Sequence, residues 1–273
     1  MKILFIGAGN MAQAIISRVV QKKIINENDI YIYEVNNETA KNVINQYKVK
    51  RQESINSNLS KYDVIILAVK PQVFLSFNND IEMNKLSSII NKSQLIVSIM
   101  AGISIEKIKK FFINKNSIIR IMPNTPALIG ESMSVISPSS NVSKNQLDSI
   151  IKMFNSIGKV EILEEKYIDA VTGLSGSGPA YVFTFIEALI QGGILCGLAK
   201  EVAEKLAIQT VLGSVLMINS SNSSIEELRH KVTSPGGTTI EGLSILEKNS
   251  FRSIVSEAVR AATKRSKQLS EKN

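Results

Sequence analysis

The sequence predicts an α/β protein with a doubly wound parallel sheet of Rossmann type in its N-terminal part and an all-α C-terminal part. Three observations carry this. Short apolar runs alternate with helix-period segments through the first half. Several of those runs are continuous rather than alternating, as strands covered on both faces must be. Beyond residue 165 no run reads as a strand, and only helical patterns follow.

Taken in order, residues 2–6 form a β run. Residues 11–22 are helical, with Met11, Ile15, Ile16 and Val19 on one stripe. A strand at 30–34 and a helix at 39–47 follow. The runs 64–69, 95–99 and 118–122 are further strands. A helix at 104–112 lies between the last two, with Ser104 in the N-cap position. Late edge strands are expected at 133–136 and 160–163, separated by a helix at 144–156. The second half gives helical patterns at 166–173, 178–196, 200–219, 224–231, 237–248 and 251–269, punctuated by Gly197, by Ser/Asn at 220–224 and by Ser/Pro/Gly at 234–237. The expected domains are 1–164 and 165–273. Apolar stripes on the later helices can be buried internally or across a dimer; the pattern alone leaves both open.

Composition narrows the function. The chain has 273 residues and a formal charge of +8. Residues 1–164 hold 20 basic and 13 acidic side chains, so the cationic half is the N-terminal one, which suits an anionic ligand. No block of consecutive basic residues resembles a nucleic-acid arm. One cysteine, Cys196, excludes an internal disulfide framework and a Cys-rich metal site, and one histidine, His230, excludes a multi-His centre. Cys196 is expected in the core, and His230 on the surface. Four apolar residues between Lys2 and Gly7 are too few for a signal segment, so a cytoplasmic location is expected. The apolar stretch 180–199 contains Glu187, Gln191, Gly192 and Gly193, and is expected to be a buried helix and not a membrane span.

Gly7-Ala8-Gly9-Asn10-Met11-Ala12 follows the first strand and opens a helix. This is the G-x-G-x-x-A dinucleotide fingerprint. Gly7 permits the tight turn, Gly9 lets backbone approach a pyrophosphate, and Ala12 lets helix and strand pack closely. The phosphates would face free N–H groups and the positive end of the helix dipole. An ordinary turn uses the same small residues, but the strand-turn-helix context favours the nucleotide. Glu34, 22 residues past Ala12, closes the second strand, near the expected separation of about 20. A carboxylate there accepts ribose hydroxyls and repels a 2′-phosphate, and no Arg is expected to follow and receive that phosphate, so NADH is favoured over NADPH. A plain solvated Glu is the alternative.

Four further segments complete a motif set: Ala68-Val69-Lys70-Pro71-Gln72, Arg120-Ile121-Met122-Pro123-Asn124-Thr125-Pro126-Ala127, Leu174-Ser175-Gly176-Ser177-Gly178-Pro179-Ala180-Tyr181, and Val232-Thr233-Ser234-Pro235-Gly236-Gly237-Thr238-Thr239. In this order, and over almost the whole chain, the sequence resembles the pyrroline-5-carboxylate reductase family. The resemblance implies a Rossmann domain, a helical domain that interlocks into dimers and in some members decamers, and reduction of a cyclic imine to L-proline with NADH or NADPH. It implies that the cofactor lies across Gly7, Ala8, Gly9, Asn10, Met11, Ala12, Glu34, Asn56, Ala68, Val69, Lys70, Pro71 and Asn124. It places the substrate carboxylate on Ser175, Ser234, Gly236, Gly237, Thr238 and Thr239, with the Thr239 hydroxyl toward the ring nitrogen as the catalytic group, in a pocket completed by a second chain. No metal, nucleic acid or membrane partner is implied. Two departures stand out. Ser132 follows Gly130-Glu131 where the family often has glycine, a slight loop change. Glu34-Val35 replaces the Asn-Arg or Ser-Arg of NADPH-preferring members.

Read from the residues, Lys70-Pro71 ends a strand at the sheet edge where ligands bind. Lys70 faces cofactor or solvent. Pro123 and Pro126 fix a turn, in which Asn124 and Thr125 pair backbone groups or touch nicotinamide. Residues 175–179 form a loop that either cradles an anion or makes a tight turn. Residues 234–239 stand at a helix N-terminus, where they bind a carboxylate or cap the helix through Ser234 or Thr238.

A protonated iminium carries its own charge, so its reduction needs orientation more than a strong acid, which suits a chain nearly free of histidine. Two rivals are a 3-hydroxyacid-type dehydrogenase and a non-catalytic dinucleotide sensor or scaffold. The first needs a catalytic Lys after the boundary, and residues 174–196 contain none. The second has no use for the loops at 175–179 and 234–239.

Overall fold

The computed structural model describes residues 1–272, those at 57, 58 and 272 by backbone alone. Two compact units emerge. One comprises Met1–Ser177 and the chain from Ala261 onward, the other Gly178–Arg260.

In the first unit, β1 (Ile3–Ile6), α1 (Asn10–Gln21), β2 (Ile30–Tyr33), α2 (Asn37–Tyr47), β3 (Lys50–Arg51) and β4 (Val64–Leu67) are followed by α3 (Pro71–Leu75) and α4 (Ile81–Ile89). Then come β5 (Leu95–Ser98), α5 (Ile105–Phe111), β6 (Ile118–Met122), β7 (Ser132–Pro138), α6 (Lys144–Phe154) and β8 (Gly158–Ile162). The eight strands form one sheet in the order β3-β2-β1-β4-β5-β6-β7-β8. The first six are parallel; β7 runs antiparallel to β6, and β8 is parallel to β7. The direction of winding reverses between β1 and β4, and the crevice at their carboxyl ends is where ligands bind in such sheets.

The continuous apolar runs are explained by two cores. Ile3 and Phe5 of β1, with Val64 and Ile66 of β4, enter the core built with Ile15, Ile16 and Val19 of α1 and Ile150, Met153 and Phe154 of α6. Leu4, Ile6, Ile65 and Leu67 enter the opposite core, with Met83 and Leu86 of α4 and Ile105, Ile108 and Phe111 of α5. Alternate side chains thus feed opposite faces, and both faces are apolar. Ser104 caps α5 as expected, accepting the Lys107 N–H at 3.2 Å.

Several expectations change. The segment 133–136 is not an edge strand: β7 lies between β6 and β8, and of these two late strands β8 is the one at an edge. Ser132 is not a loop residue but the first of β7, in register with Gly158, where a Cβ would collide with the Ser132 backbone. The two-residue β3 and the weakly patterned α4 escape periodicity arguments, because each buries too few side chains to leave a repeat.

After a short 3₁₀ turn come α7 (Ile168–Val171) and a π-helical turn at Thr172–Gly176, which leads into α8 (Gly178–Leu195). The second unit holds α8, α9 (Lys200–Ser220), α10 (Ile225–Lys231), α11 (Thr238–Lys248) and the start of α12 (Phe251–Lys272). The end of α12 belongs to the first unit, where Ser266 Oγ donates to Asp169 Oδ1 at 2.6 Å and Lys107 Nζ donates to the Ser270 carbonyl.

The stretch expected as a buried helix is not buried within one chain. No residue of α8 is buried, and Phe183 and Leu195 are 61% and 80% exposed. Cys196, expected in the core, is exposed for the same reason: the apolar face around it has no cover in a single chain. By length and composition alone the run Glu165–Leu195 could cross a membrane.

Candidate functional site

The strongest constraint lies where β1 turns into α1. Gly7 has φ +95°, and a Cβ there would stand 2.9 Å from the Ala68 carbonyl oxygen, so only glycine fits. The turn is held to both neighbouring strands: Gly7 N–H donates to Tyr33 O and Ala68 N–H to Ile6 O, each at 2.9 Å. Gly9 is the N-cap of α1, has no side-chain cap, and faces open space where a Cβ would meet nothing within 4 Å. Asn10 is exposed, Met11 is half-buried against the core, and Ala8 and Ala12 are buried. A tight turn, an uncapped helix N-terminus and free space beside Gly9 are what a pyrophosphate requires. These residues fit a dinucleotide.

Glu34 stands beside this turn. Its Oε2 accepts the Ala8 N–H at 2.9 Å and its Oε1 accepts the Asn36 N–H at 2.9 Å. The carboxylate therefore links the glycine turn to the start of α2, with lone pairs left for further donors. Asn36 caps α2 by accepting the Thr39 N–H at 2.9 Å.

Across the crevice, the strand read as 64–69 ends at Leu67. Ala68 and Val69 form the rim, exposed Lys70 is the N-cap of α3, and Pro71 is its first residue. Asn56 lies in the link between β3 and β4, half-buried, with its Nδ2 donating to Ser54 Oγ at 2.8 Å. That link is held from α4, where Glu82 Oε1 accepts the Ile55 N–H at 2.8 Å. Burial first, then the Glu82 carboxylate, pushes the Tyr33 hydroxyl's pKa up to about 12. Sequence reasoning missed Glu82, since nothing in its spacing ties it to residue 55.

Asn124 is committed within the protein. Its Oδ1 accepts the Met133 N–H and its Nδ2 donates to the Ser175 carbonyl, both at 3.0 Å. Ser132 Oγ accepts the Asn124 N–H at 3.3 Å. Asn124 thus fixes the backbone at Ser175, which is the turn-building reading of this residue. Residues 175–179 are not a loop. Ser177 N–H donates to Thr172 O at 2.8 Å, closing the π turn, and Ser175 Oγ donates to Val171 O at 3.1 Å. A Cβ at Gly176 would stand 2.8 Å from Met122 Cε, the mobile end of a methionine side chain that would have to move aside. Arg120 was part of the motif without a role; it is 4% exposed and donates to Glu165 Oε1 at 3.0 Å, the same oxygen that accepts the Ile105 N–H at 2.7 Å.

In the second unit, Ser234, Pro235, Gly236 and Gly237 form a turn closed by Gly237 N–H donating to Ser234 O at 3.1 Å. Gly236 has φ +70°, the type II pattern with Pro before it. A Cβ at Gly237 would collide with Ser234 Oγ. Neither Ser234 nor Thr238 caps α11: its N-cap is Gly237, with no side-chain acceptor. Capping by these side chains is therefore corrected. The reason is that the turn places glycine, not serine, at the cap. Thr238 and Thr239 open α11 exposed, with first-turn N–H groups uncapped. His230, as expected, is at the surface; its side chain is 71% exposed.

A Rossmann sheet with this turn at its switch point, joined in sequence to an α-helical region, defines a nicotinamide-dinucleotide oxidoreductase. Residues 165–269 match the family model described as pyrroline-5-carboxylate reductase dimerisation, and residues 2–102 match NADP oxidoreductase coenzyme F420-dependent. A pyrroline-5-carboxylate reductase of Synechocystis sp. is 42% identical over 98% of this chain and 97% of its own length. One of Arabidopsis thaliana is 40% identical over 99% and 96%. The crystal structure of Plasmodium falciparum pyrroline carboxylate reductase with NADP bound aligns with a TM-score of 0.85 at 35% identity, covering 99% and 98% of the two chains. The Coxiella burnetii enzyme aligns at 0.89 and 32%, covering 98% of each. The chain belongs to the pyrroline-5-carboxylate reductase family.

Proposed function

We propose that this protein reduces 1-pyrroline-5-carboxylate to L-proline with a reduced nicotinamide dinucleotide, in the cytoplasm, as a homo-oligomer assembled through its C-terminal helices. The observation that carries this is full-length similarity to reductases of that name, coupled to a glycine turn that fits a pyrophosphate. Functionally we divide the chain at 164/165, where the dimerisation family model begins. A decamer of dimers is the higher assembly to look for.

The cofactor residues are assigned to the turn 7–12, to Glu34, Asn56 and the rim 68–71, and to the neighbourhood of Asn124. When bound, the reduced nicotinamide supplies the hydride. The chain's residues do the rest. The uncapped first turn of α11, with Ser234, Gly236, Gly237, Thr238 and Thr239, binds the substrate carboxylate, and the half-buried Ser175 is likewise assigned to substrate binding. The protonated imine carbon gains the hydride, the C=N π pair becomes the nitrogen lone pair, and the iminium charge is neutralised. Thr239 Oγ1 orients that nitrogen. Orientation is the main source of rate here, because no strong acid is required. Between the cofactors, the Glu34 carboxylate favours NADH.

The test is steady-state consumption of NADH and of NADPH by purified protein, with and without pyrroline-5-carboxylate. Imine-dependent consumption with proline formed is the expected result. Cofactor binding without imine-dependent turnover would return the protein to the sensor class.

A further inference from the structure

The ribose end of the cofactor site contains a cation that linear spacing hides. Arg51, on β3, lies 17 residues past Glu34 in sequence, yet parallel pairing of β3 with β2 sets it opposite Ile32, two residues before Glu34. Its Nη2 donates to Asn37 Oδ1 at 2.7 Å and to the Glu34 carbonyl oxygen at 3.3 Å. Its Nε stands 3.3 Å from Glu53 Oε2, the carboxylate of a residue that is itself largely exposed. Nε is buried without a hydrogen-bond partner among the described residues, and the side chain is 24% exposed. The guanidinium therefore sits against the turn 34–37, at the N-terminus of α2, with donors to spare.

That turn is where a dinucleotide's adenosine ribose is distinguished. A carboxylate there accepts the 2′-hydroxyl, and an Arg nearby accommodates a 2′-phosphate. This chain holds both, Glu34 from β2 and Arg51 from the adjoining strand. Both Glu34 oxygens already accept backbone N–H groups, from Ala8 and Asn36, which disperses their charge. Arg51 has a planar fork suited to phosphate, and the α2 dipole adds to it. Glu38 in the first turn of α2 and Glu53 beside Arg51 are the opposing charges.

We propose that Arg51 is a specificity-determining residue of the cofactor site, receiving the adenosine 2′-phosphate, so that Glu34 and Arg51 together let this chain take NADPH as well as NADH. The proposal rests on the cofactor site assigned above and adds the residue that sets its selectivity.

The test is direct titration of the full-length protein with NADPH and with NADH, followed by nicotinamide fluorescence, without imine. Arg51→Ala weakens NADPH binding by roughly 10- to 100-fold, the usual worth of hydrogen bonds to a charged group, and leaves NADH within about 2-fold. Arg51→Lys keeps the charge without the fork and falls between. Arg51→Gln keeps a donor for Asn37 without the charge and reproduces the alanine result, so a folded variant is at hand even if alanine loosens the turn. Equal weakening of both cofactors in the glutamine variant assigns Arg51 to holding the turn and overturns the proposal. So does unchanged NADPH binding. Wild-type protein that binds neither cofactor would overturn the cofactor site itself, an outcome distinct from either.

Discussion

In the unit built on the sheet, Phe5, Phe77, Phe112 and Phe154 are fully enclosed, and helices cover both faces of the strands. In the Gly178–Arg260 unit, Phe183, Leu195, Leu206, Ile208, Leu216 and Met217 are all more than half exposed, although these helices are just as apolar. Ala203 and Ala207 are the buried hydrophobics there among the described residues. The first unit completes its core within one chain. The second presents far more apolar surface than a monomer normally leaves in water, which marks an interaction face. The two regions differ in what finishes them: the first needs a cofactor in its crevice, the second another copy of the chain.

The largest effect is expected where the first unit has no freedom. Gly7→Val combines a φ of +95° with a clash against Ala68, and should cut cofactor affinity by ~100-fold or more. Fluorescence titration with NADH reads this. The next pair contrasts the units. Phe154→Ala opens a cavity in a sealed core and should cost about 3–5 kcal/mol in denaturant unfolding. Phe183→Ala should change unfolding little at low protein concentration and weaken assembly instead, read by sedimentation across a dilution series. Third, Thr239→Ala should lower kcat by roughly 10- to 100-fold while the NADH dissociation constant stays unchanged, since the residue lies outside the cofactor unit. Unchanged turnover removes Thr239 from the chemistry. The smallest effects compare two capping boxes of the same design, Ser143 with Gln146 on α6 and Ser224 with Glu227 on α10. Ser143→Ala should cost ~1 kcal/mol in unfolding of the sheet unit. Ser224→Ala should cost about the same intrinsically, but its loss should be masked wherever assembly holds α10.

Legibility in the sequence followed the same division. The inner strands of the first unit could be read because they are sealed on both faces and written as nearly unbroken apolar runs, as at Ile3–Ile6 and Val64–Leu67. The glycine turn could be read because Gly7 is required by its own backbone. Residues whose roles depend on pairing between distant strands could not. Arg51 meets Glu34 only through the β2–β3 ladder, and Glu82 meets Ile55 only because α4 packs beside that link. The 175–179 segment misled because Gly and Pro normally break helices; here a π turn absorbs the extra residue and the helix continues. Cys196 misled because an apolar neighbourhood in sequence was equated with burial inside one chain.

The most direct test is sedimentation velocity on wild type and Phe183→Asp, with NADH titration and imine-dependent turnover measured on the same samples. Wild type should sediment as a dimer or larger and turn over. The variant should sediment as a monomer, bind NADH normally, and lose turnover. A wild-type monomer with full turnover would contradict the account, since the exposed helical face would then need no second copy.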